Sequence, residues 1–329
     1  VSAFIAAWQM TSGKILFSDG LMVLMLSFGF FGSVRTLMSA THSALAGVSA
    51  ADKVEKLLAI DTSRPYNPNL PTQEHPYDGI RLENISFSYR GRGAALKDVS
   101  IDIPKGKSTA LVGLSGSGKS TITALLMRFY DPEQGRILIE GRDVTSMTPD
   151  ELRRHIIMVP QTVSLYSGTV AENLRMAAPD ASDGELLEVL REVRLDNWIA
   201  AQPEGLNTPV GDAGEKLSGG QRQKIGIARA LLCKAEYIIF DEATSSVDMD
   251  SEQEIWNCIN DISGSKTLII ISHRLSTIQN ADIIYVLENG VISQSGTHET
   301  LMSRGGLYRS LVYEQEKLEK LGEEREENA

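Results

Sequence analysis

Residues 108–130 read "STALVGLSGSGKSTITALLMRFY". The first part, "STALVGL", is a short apolar run that suits a strand, and "STITALLMRFY" places apolar residues at helical spacing. Between them, residues 113–120, "GLSGSGKS", match G-x-x-x-x-G-K-[ST]. The pattern alone turns up by chance. A strand before it and a helix after it make the setting in which such a loop cradles phosphate. Glycines at 113, 116 and 118 let the backbone wrap phosphate oxygens with no Cβ in the way. Lys119 supplies a point charge for the terminal phosphates, Ser120 offers a hydroxyl to Mg²⁺, and Thr121 continues the helix start. The stretch predicts an α/β domain that binds a nucleotide.

The surrounding sequence agrees. "IRLENISFSY" and "VSIDIP", from Ile80 onward, alternate like strands with one wet face. "HIIMVP", "YIIFDE" and "TLIIIS" do not alternate, as expected of parallel strands buried on both faces. "SDGELLEVLREVRL" is a helix with a capping box from Ser182 to Glu185, and Asn289-Gly290 is a hairpin turn. These elements predict a parallel-sheet core with an antiparallel addition and a helical insert. A metal bound with phosphates also needs a carboxylate. Asp241 and Glu242 end the run "YIIFDE", and adjacent acids repel unless a cation or proton lies between them. Asp241 fits the metal shell, and Glu242 fits a group that polarises an attacking water. A second small-residue helix start, Ser218, Gly219 and Gly220 in "KLSGGQRQKIGIARALL", aims free N–H groups outward at the positive end of its dipole. That arrangement also suits a phosphate.

Toward the N-terminus the character changes. "VSAFIAAWQM" is apolar but half the length needed to cross a bilayer. Residues 15–34, "ILFSDGLMVLMLSFGFFGSV", carry Asp19 as their one charge and are long enough to span it. A buried helix of a soluble domain is the alternative. Arg35 faces a wet cavity or snorkels to the interface. Residues 49–60 predict an amphipathic helix leaving the membrane, and Pro65, Pro68, Pro71 and Pro76 make 61–79 a linker. The expected domains are a membrane-domain remnant over 1–60 with its helix at about 15–48, the linker, a nucleotide-binding domain over 80–313 and an acidic tail over 314–329. That tail holds seven acids against three bases. The opening valine suggests a piece of a longer chain. At 329 residues and 42% hydrophobic, the sequence can bury a substantial core. A net charge of −11 with no basic stripe argues against nucleic acid as a partner. Cys233 and Cys258 match no metal or redox spacing and read as reduced, cytosolic thiols.

Taken together, "GLSGSGKST", "MVPQ", "LSGGQ", "YIIFDEATSSVD" and "ISHR", in this order and spacing, closely resemble the nucleotide-binding domain of ATP-binding cassette (ABC) transporters over about residues 80–313. The preceding apolar helix and linker resemble the end of a fused exporter-type membrane domain. The resemblance implies a P-loop NTPase fold of the ABC ATPase type, with ATP and Mg²⁺ as ligands. It implies that Tyr89 stacks on adenine and that Gly113, Ser115, Gly116, Ser117, Gly118, Lys119, Ser120 and Thr121 form the cradle. Ser120, Gln161 and Asp241 would hold the metal, with Gln161 also reaching the water. Glu242 would be the base and His273 would contact the γ-phosphate. Ser218, Gly219, Gly220 and Gln221 would face the ATP of a partner subunit, and Asp248 would reach across to it. Ser246 and Val247 depart mildly from the family pattern, as do Asp212-Ala213, where exporters often carry Glu-Arg. The implied partners are a second half-transporter, the lipid bilayer and an unidentified transported substrate. The implied location is a membrane, with the nucleotide-binding domain in the cytoplasm. Two other readings are a soluble ATPase of the same superfamily and a non-hydrolytic subunit. The first needs a basic surface or tandem cassettes, and the second usually loses Glu242, Ser218 or His273; the sequence shows neither feature.

Overall fold

The computed structural model describes residues 2–59, 77–91, 93–242, 249–272 and 278–326. It divides into two units, Val1–Pro65 and Tyr66–Ala329.

The first unit holds helix α1 (Ser2–Thr11) and helix α2 (Phe17–Leu58). Where the sequence predicts a membrane helix and then a separate amphipathic helix, α2 runs unbroken for 42 residues. The junction contains no proline, and "SAADKVEKLL" is rich in good helix formers, so nothing stops propagation. Lys56 and Asp52 pair at 2.8 Å one turn apart. At 1.5 Å per residue the helix is about 63 Å long, roughly twice a hydrocarbon core. By length and composition it can cross a membrane. Its apolar part meets the rule for such a setting. Ser27, Ser33 and Thr36 donate to the carbonyls of Val23, Gly29 and Gly32 at 2.7, 3.1 and 3.1 Å, so these three hydroxyls are satisfied within the helix beside exposed Leu26, Phe30, Phe31 and Leu37. The expected linker falls on residues 61–79, of which 61–76 lie outside the described residues.

The second unit contains two sheets. An antiparallel sheet is formed by β1 (Gly79–Ser88), β2 (Ala94–Pro104), β4 (Gln134–Ile139) and β5 (Arg142–Asp143), in the order β2-β1-β4-β5. A six-stranded sheet has the order β10-β9-β3-β8-β7-β6. Its strands are β3 (Ser108–Val112), β6 (Ile156–Val159), β7 (Tyr237–Asp241), β8 (Thr267–Ile271), β9 (Ile283–Glu288) and β10 (Val291–Gly296). All its pairings are parallel except β9 with β10, the Asn289-Gly290 hairpin.

The unalternating runs are explained by two cores, one on each face. Tyr237, Ile239, Ile269, Ile271 and Leu111 join the core shared with the antiparallel sheet. Ile238, Phe240, Leu268 and Ile270 point the other way, into a core built with the helical insert. That side includes α5 (Val170–Arg175), α6 (Asp183–Glu192), α7 (Asp196–Ala200), α8 (Gly219–Leu232) and α9 (Met249–Ile262). Helix α3 (Lys119–Leu126) follows β3, and α4 (Pro149–His155) precedes β6. Helices α10 (His298–Arg304) and α11 (Leu307–Glu326) complete the unit. The helical period of α11 carries on past residue 313, so the expected acidic tail begins inside a helix rather than after one.

Candidate functional site

Parallel strands place all their C-terminal ends at one edge, and loops leaving that edge converge. Register fixes the convergence here: Leu111 of β3 lies beside Ile271 of β8, and Ile271 beside Asp241 of β7. Phe240 of β7 lies beside Val159 of β6. The residues that follow these strands are the glycine loop, Ser272, Glu242 and Pro160-Gln161. Four separated stretches of sequence therefore meet at one edge of the sheet.

The loop is shaped for a ligand. Gly113 has φ 153°, and a Cβ there would come within 2.2 Å of the Leu287 carbonyl oxygen, so only glycine fits. Gly118, at φ 113°, opens helix α3 without a side-chain cap, leaving its first N–H groups to face the loop. Leu114, Ser115, Gly116 and Ser120 are exposed, while Ser117, Lys119 and Thr121 are buried. The Ser117 hydroxyl is buried with no hydrogen-bond partner. Lys119, 5% exposed, donates Nζ to the carbonyls of Gly113 and Leu114 at 2.7 and 3.1 Å. It pairs with no carboxylate at salt-bridge distance among the described residues. Burial lowers the Lys119 pKa, opposed by the nearby charges of Glu242 and Asp241. Burial, reinforced by Glu242, raises the Asp241 pKa against the pull of Lys119. Glu242 sits at φ 50°, an uncommon conformation for a non-glycine residue, and its N–H donates to Ile271 O at 2.8 Å.

These features fit ATP with Mg²⁺. The cradle offers an unpaired buried hydroxyl, a buried ammonium on neutral acceptors, and two adjacent acids. Ser120, Asp241 and Gln161 carry hard oxygen atoms of the kind that Mg²⁺ takes. Tyr89 is half-buried and linked to the cradle, its hydroxyl donating to Thr121 Oγ1 at 3.4 Å. Phe87 and Tyr130 meet it edge to face, at ring-centroid distances of 5.0 and 5.3 Å.

The second helix start also takes the expected form, with one refinement. Ser218 caps α8 through a capping box: its Oγ accepts from Gln221 N at 3.2 Å, and Gln221 Oε1 accepts from Ser218 N at 3.0 Å. The N–H groups of Gly219 and of buried Gly220 are not taken up by this box. His273, Asp248, Ser246 and Val247 lie outside the described residues. Three neighbours of the site carry no motif signal: Tyr130 against Tyr89, and Gln223 and Arg229 on α8. A polar residue inside the buried stripe of α8 was the readable clue to the last two. At the opposite end of the strands, Glu140, His155 and Glu236 bring ligand atoms within 4.8 Å of one another. The Lys105 ammonium already bridges the two acids of that cluster, at 2.6 and 2.9 Å.

Residues 96–245 match the family model described as "ABC transporter". The chain is 40% identical over 271 residues to the "ATP-dependent lipid A-core flippase" of Saccharophagus degradans, covering 82% of this chain and 46% of that protein. It is 45% identical over 260 residues to the mitochondrial "Iron-sulfur clusters transporter ATM1" of Saccharomyces cerevisiae, covering 78% and 38%. Among solved structures it is similar to a bacterial Atm1-family ABC exporter with ATP bound, with a TM-score of 0.74 and 32% identity over 95% of this chain and 57% of that one. The chain thus spans less than half the length of these two curated relatives.

Proposed function

Residues 96–245 are an ABC transporter domain, and on that premise we propose that the chain is the ATP-hydrolysing part of an ABC exporter half, working as a dimer across a membrane. The observation that carries this reading is the meeting of Lys119 and Asp241 at one sheet edge, a buried ammonium held on neutral carbonyls and a buried acid, each pushed toward its neutral form by burial. A triphosphate with its metal supplies an opposite charge to each. Lys119 would leave its two carbonyl acceptors for the terminal phosphates, and loop N–H groups would take the remaining oxygens. Ser120, Asp241 and Gln161 would hold Mg²⁺, which when bound neutralises the phosphates and favours attack on the terminal phosphorus. Glu242 would orient the attacking water and accept its proton. Tyr89 would stack on adenine. His273 would hold the γ-phosphate and water in line.

A second copy of the chain is part of the proposal because the chain carries two helix starts suited to phosphate, the cradle that opens α3 and the start of α8 at Ser218, and one ATP fills one cradle. In a head-to-tail pair, Ser218, Gly219, Gly220 and Gln221 of one copy close over the ATP of the other, with Asp248 at the seam. ATP then favours the closed pair because it binds that state more tightly. Helix α2 would carry the change into the bilayer, and the nucleotide-binding unit would lie in the cytoplasm. The transported substrate is left unassigned.

The test is Glu242→Gln in the membrane-reconstituted protein. The expected result is turnover reduced at least about 100-fold with ATP binding retained and a longer-lived dimer. Unimpaired turnover would remove Glu242 as the base. A rate per molecule indifferent to dilution and to Ser218→Ala would remove the dimer.

A further inference from the structure

We propose that Gln223, on the inward side of α8, is a positioning residue for Gln161, acting by fixing the carbonyl of Pro160. The inference rests on the reading of Gln161 as a metal-site residue. Strand β6 is the outer strand of the six-stranded sheet, and Pro160 follows it directly. Proline has no N–H, so its carbonyl is the only backbone hydrogen-bonding group at this step. Gln223, 3% exposed, donates Nε2 to that carbonyl at 3.1 Å. A buried amide is costly unless paired, so this bond is a directional constraint rather than a surface contact.

The constraint belongs to a longer grip. Three residues beyond Gln223, a Cβ on Gly226 would come 2.4 Å from Val163 Cγ2, so the glycine lets the helix and the 160–166 segment touch. Three residues further, Arg229 donates to Ser164 O at 2.8 Å and to the backbone and side-chain oxygens of Asn173 at 2.9 and 2.6 Å. Asn173, 1% exposed, accepts from Tyr166 N and donates to Tyr166 O, both at 2.9 Å. Residues 223, 226 and 229 thus form a ridge along α8 that holds the chain from Pro160 to Tyr166. Gln161 lies inside the held stretch. Its placement at the site is set by α8 as well as by the sheet, and of the bonds that α8 makes to this stretch the one from Gln223 is nearest to it in sequence.

Gln223→Met keeps size and removes the donor. In the full chain, Mn²⁺ affinity is read by electron paramagnetic resonance with a non-hydrolysable ATP analogue, alongside steady-state turnover and the unfolding midpoint. The expected result is Mn²⁺ affinity and turnover each lowered about tenfold, as for partners one shell out from a metal. In a Gln161→Ala background the same change should add less than about twofold, because coupled sites are not additive. Gly226→Ala, which pushes Val163 away by a different route, should act in the same direction. The proposal is overturned if Gln223→Met lowers only the unfolding midpoint, or if its full effect persists without the Gln161 amide. If Gln161→Ala alone leaves Mn²⁺ affinity and turnover unchanged, the metal-site reading itself fails, a result distinct from either of these.

Discussion

A lysine and two acids gather near each end of the central sheet, and the two ends treat them oppositely. At the N-terminal end, Lys105 lies 2.6 Å from Glu140 and 2.9 Å from Glu236. Hydrogen bonds to those two acids raise the Lys105 pKa. Burial alone would raise that of Glu140, but hydrogen bonds with Lys105 and Glu236 bring it below the ordinary value. The charges of Lys105 and Glu140 are thus stabilised by their neighbours. At the C-terminal end, Lys119 and Asp241 are each pushed toward their neutral forms by burial. Each end holds a lysine among acids; what differs is the partner the lysine takes. Lys105 sits on carboxylates and holds the fold together, whereas Lys119 sits on neutral carbonyls in a buried, glycine-lined edge, as a group that awaits a ligand does.

Replacing each lysine by methionine is the most direct way to break the contrast. Lys119→Met should abolish ATP-induced stabilisation and reduce hydrolysis by at least about 100-fold, since the point charge on the terminal phosphates is gone. Without ATP, the unfolding midpoint should stay level or rise, because a buried ammonium lacking a carboxylate partner costs stability. A clear drop in the nucleotide-free midpoint would mean that Lys119 is structural. Lys105→Met should do the reverse. It leaves two acids facing each other and should cost about 1 kcal/mol by denaturant titration, a modest value because the network is partly exposed. ATP hydrolysis per folded molecule should be unchanged. Loss of turnover in Lys105→Met at full folding would erase the distinction between the ends.

What the sequence revealed follows from how local each constraint is. The cradle was legible because its glycines answer a short-range demand: Gly113 has no room for a Cβ against Leu287 O. The acids were legible because they end a strand that is otherwise apolar. The buried strands were legible as unalternating runs, since each of their faces meets its own core. The continuity of α2 was missed because a change from apolar to charged composition reads as a boundary, although helix propagation depends on propensity rather than polarity. Gln223 and Arg229 were missed for a related reason. A polar residue in a helix reads as surface until the segment it holds, more than 50 residues earlier in the chain, is placed beside it. The Lys105 cluster has no local pattern, because β-strand order alone brings its members together.

The smallest expected effect sharpens the contrast with two aspartates. Asp282, beside Lys107 at the N-terminal end, accepts from Ser108 N and Ser108 Oγ at 2.9 Å each. Burial would raise its pKa, but the bonds from Ser108 and Lys107 bring it below the ordinary value. Folding therefore favours the ionised form. Its contribution is present above the unfolded pKa of about 4 and is lost as pH falls through the lower folded value. Asp241 has the opposite sign: its folded pKa is raised, so ionisation costs stability at neutral pH, and the cost disappears below the unfolded value. In metal-free and nucleotide-free protein, Asp282→Asn should lower stability at pH 7 and Asp241→Asn should raise it. Each change should be under about 1 kcal/mol after allowance for solvent screening; the Asp241 difference should shrink as the buffer is taken toward pH 4, whereas the Asp282 difference should persist to about pH 4 and shrink below it. Denaturant titrations at pH 7, 5.5, 4.5 and 3 measure both curves together. If the two asparagine variants moved stability in the same direction at pH 7, the two ends of the sheet would not be electrostatic opposites, and the raised Asp241 pKa would no longer mark that end as awaiting a ligand.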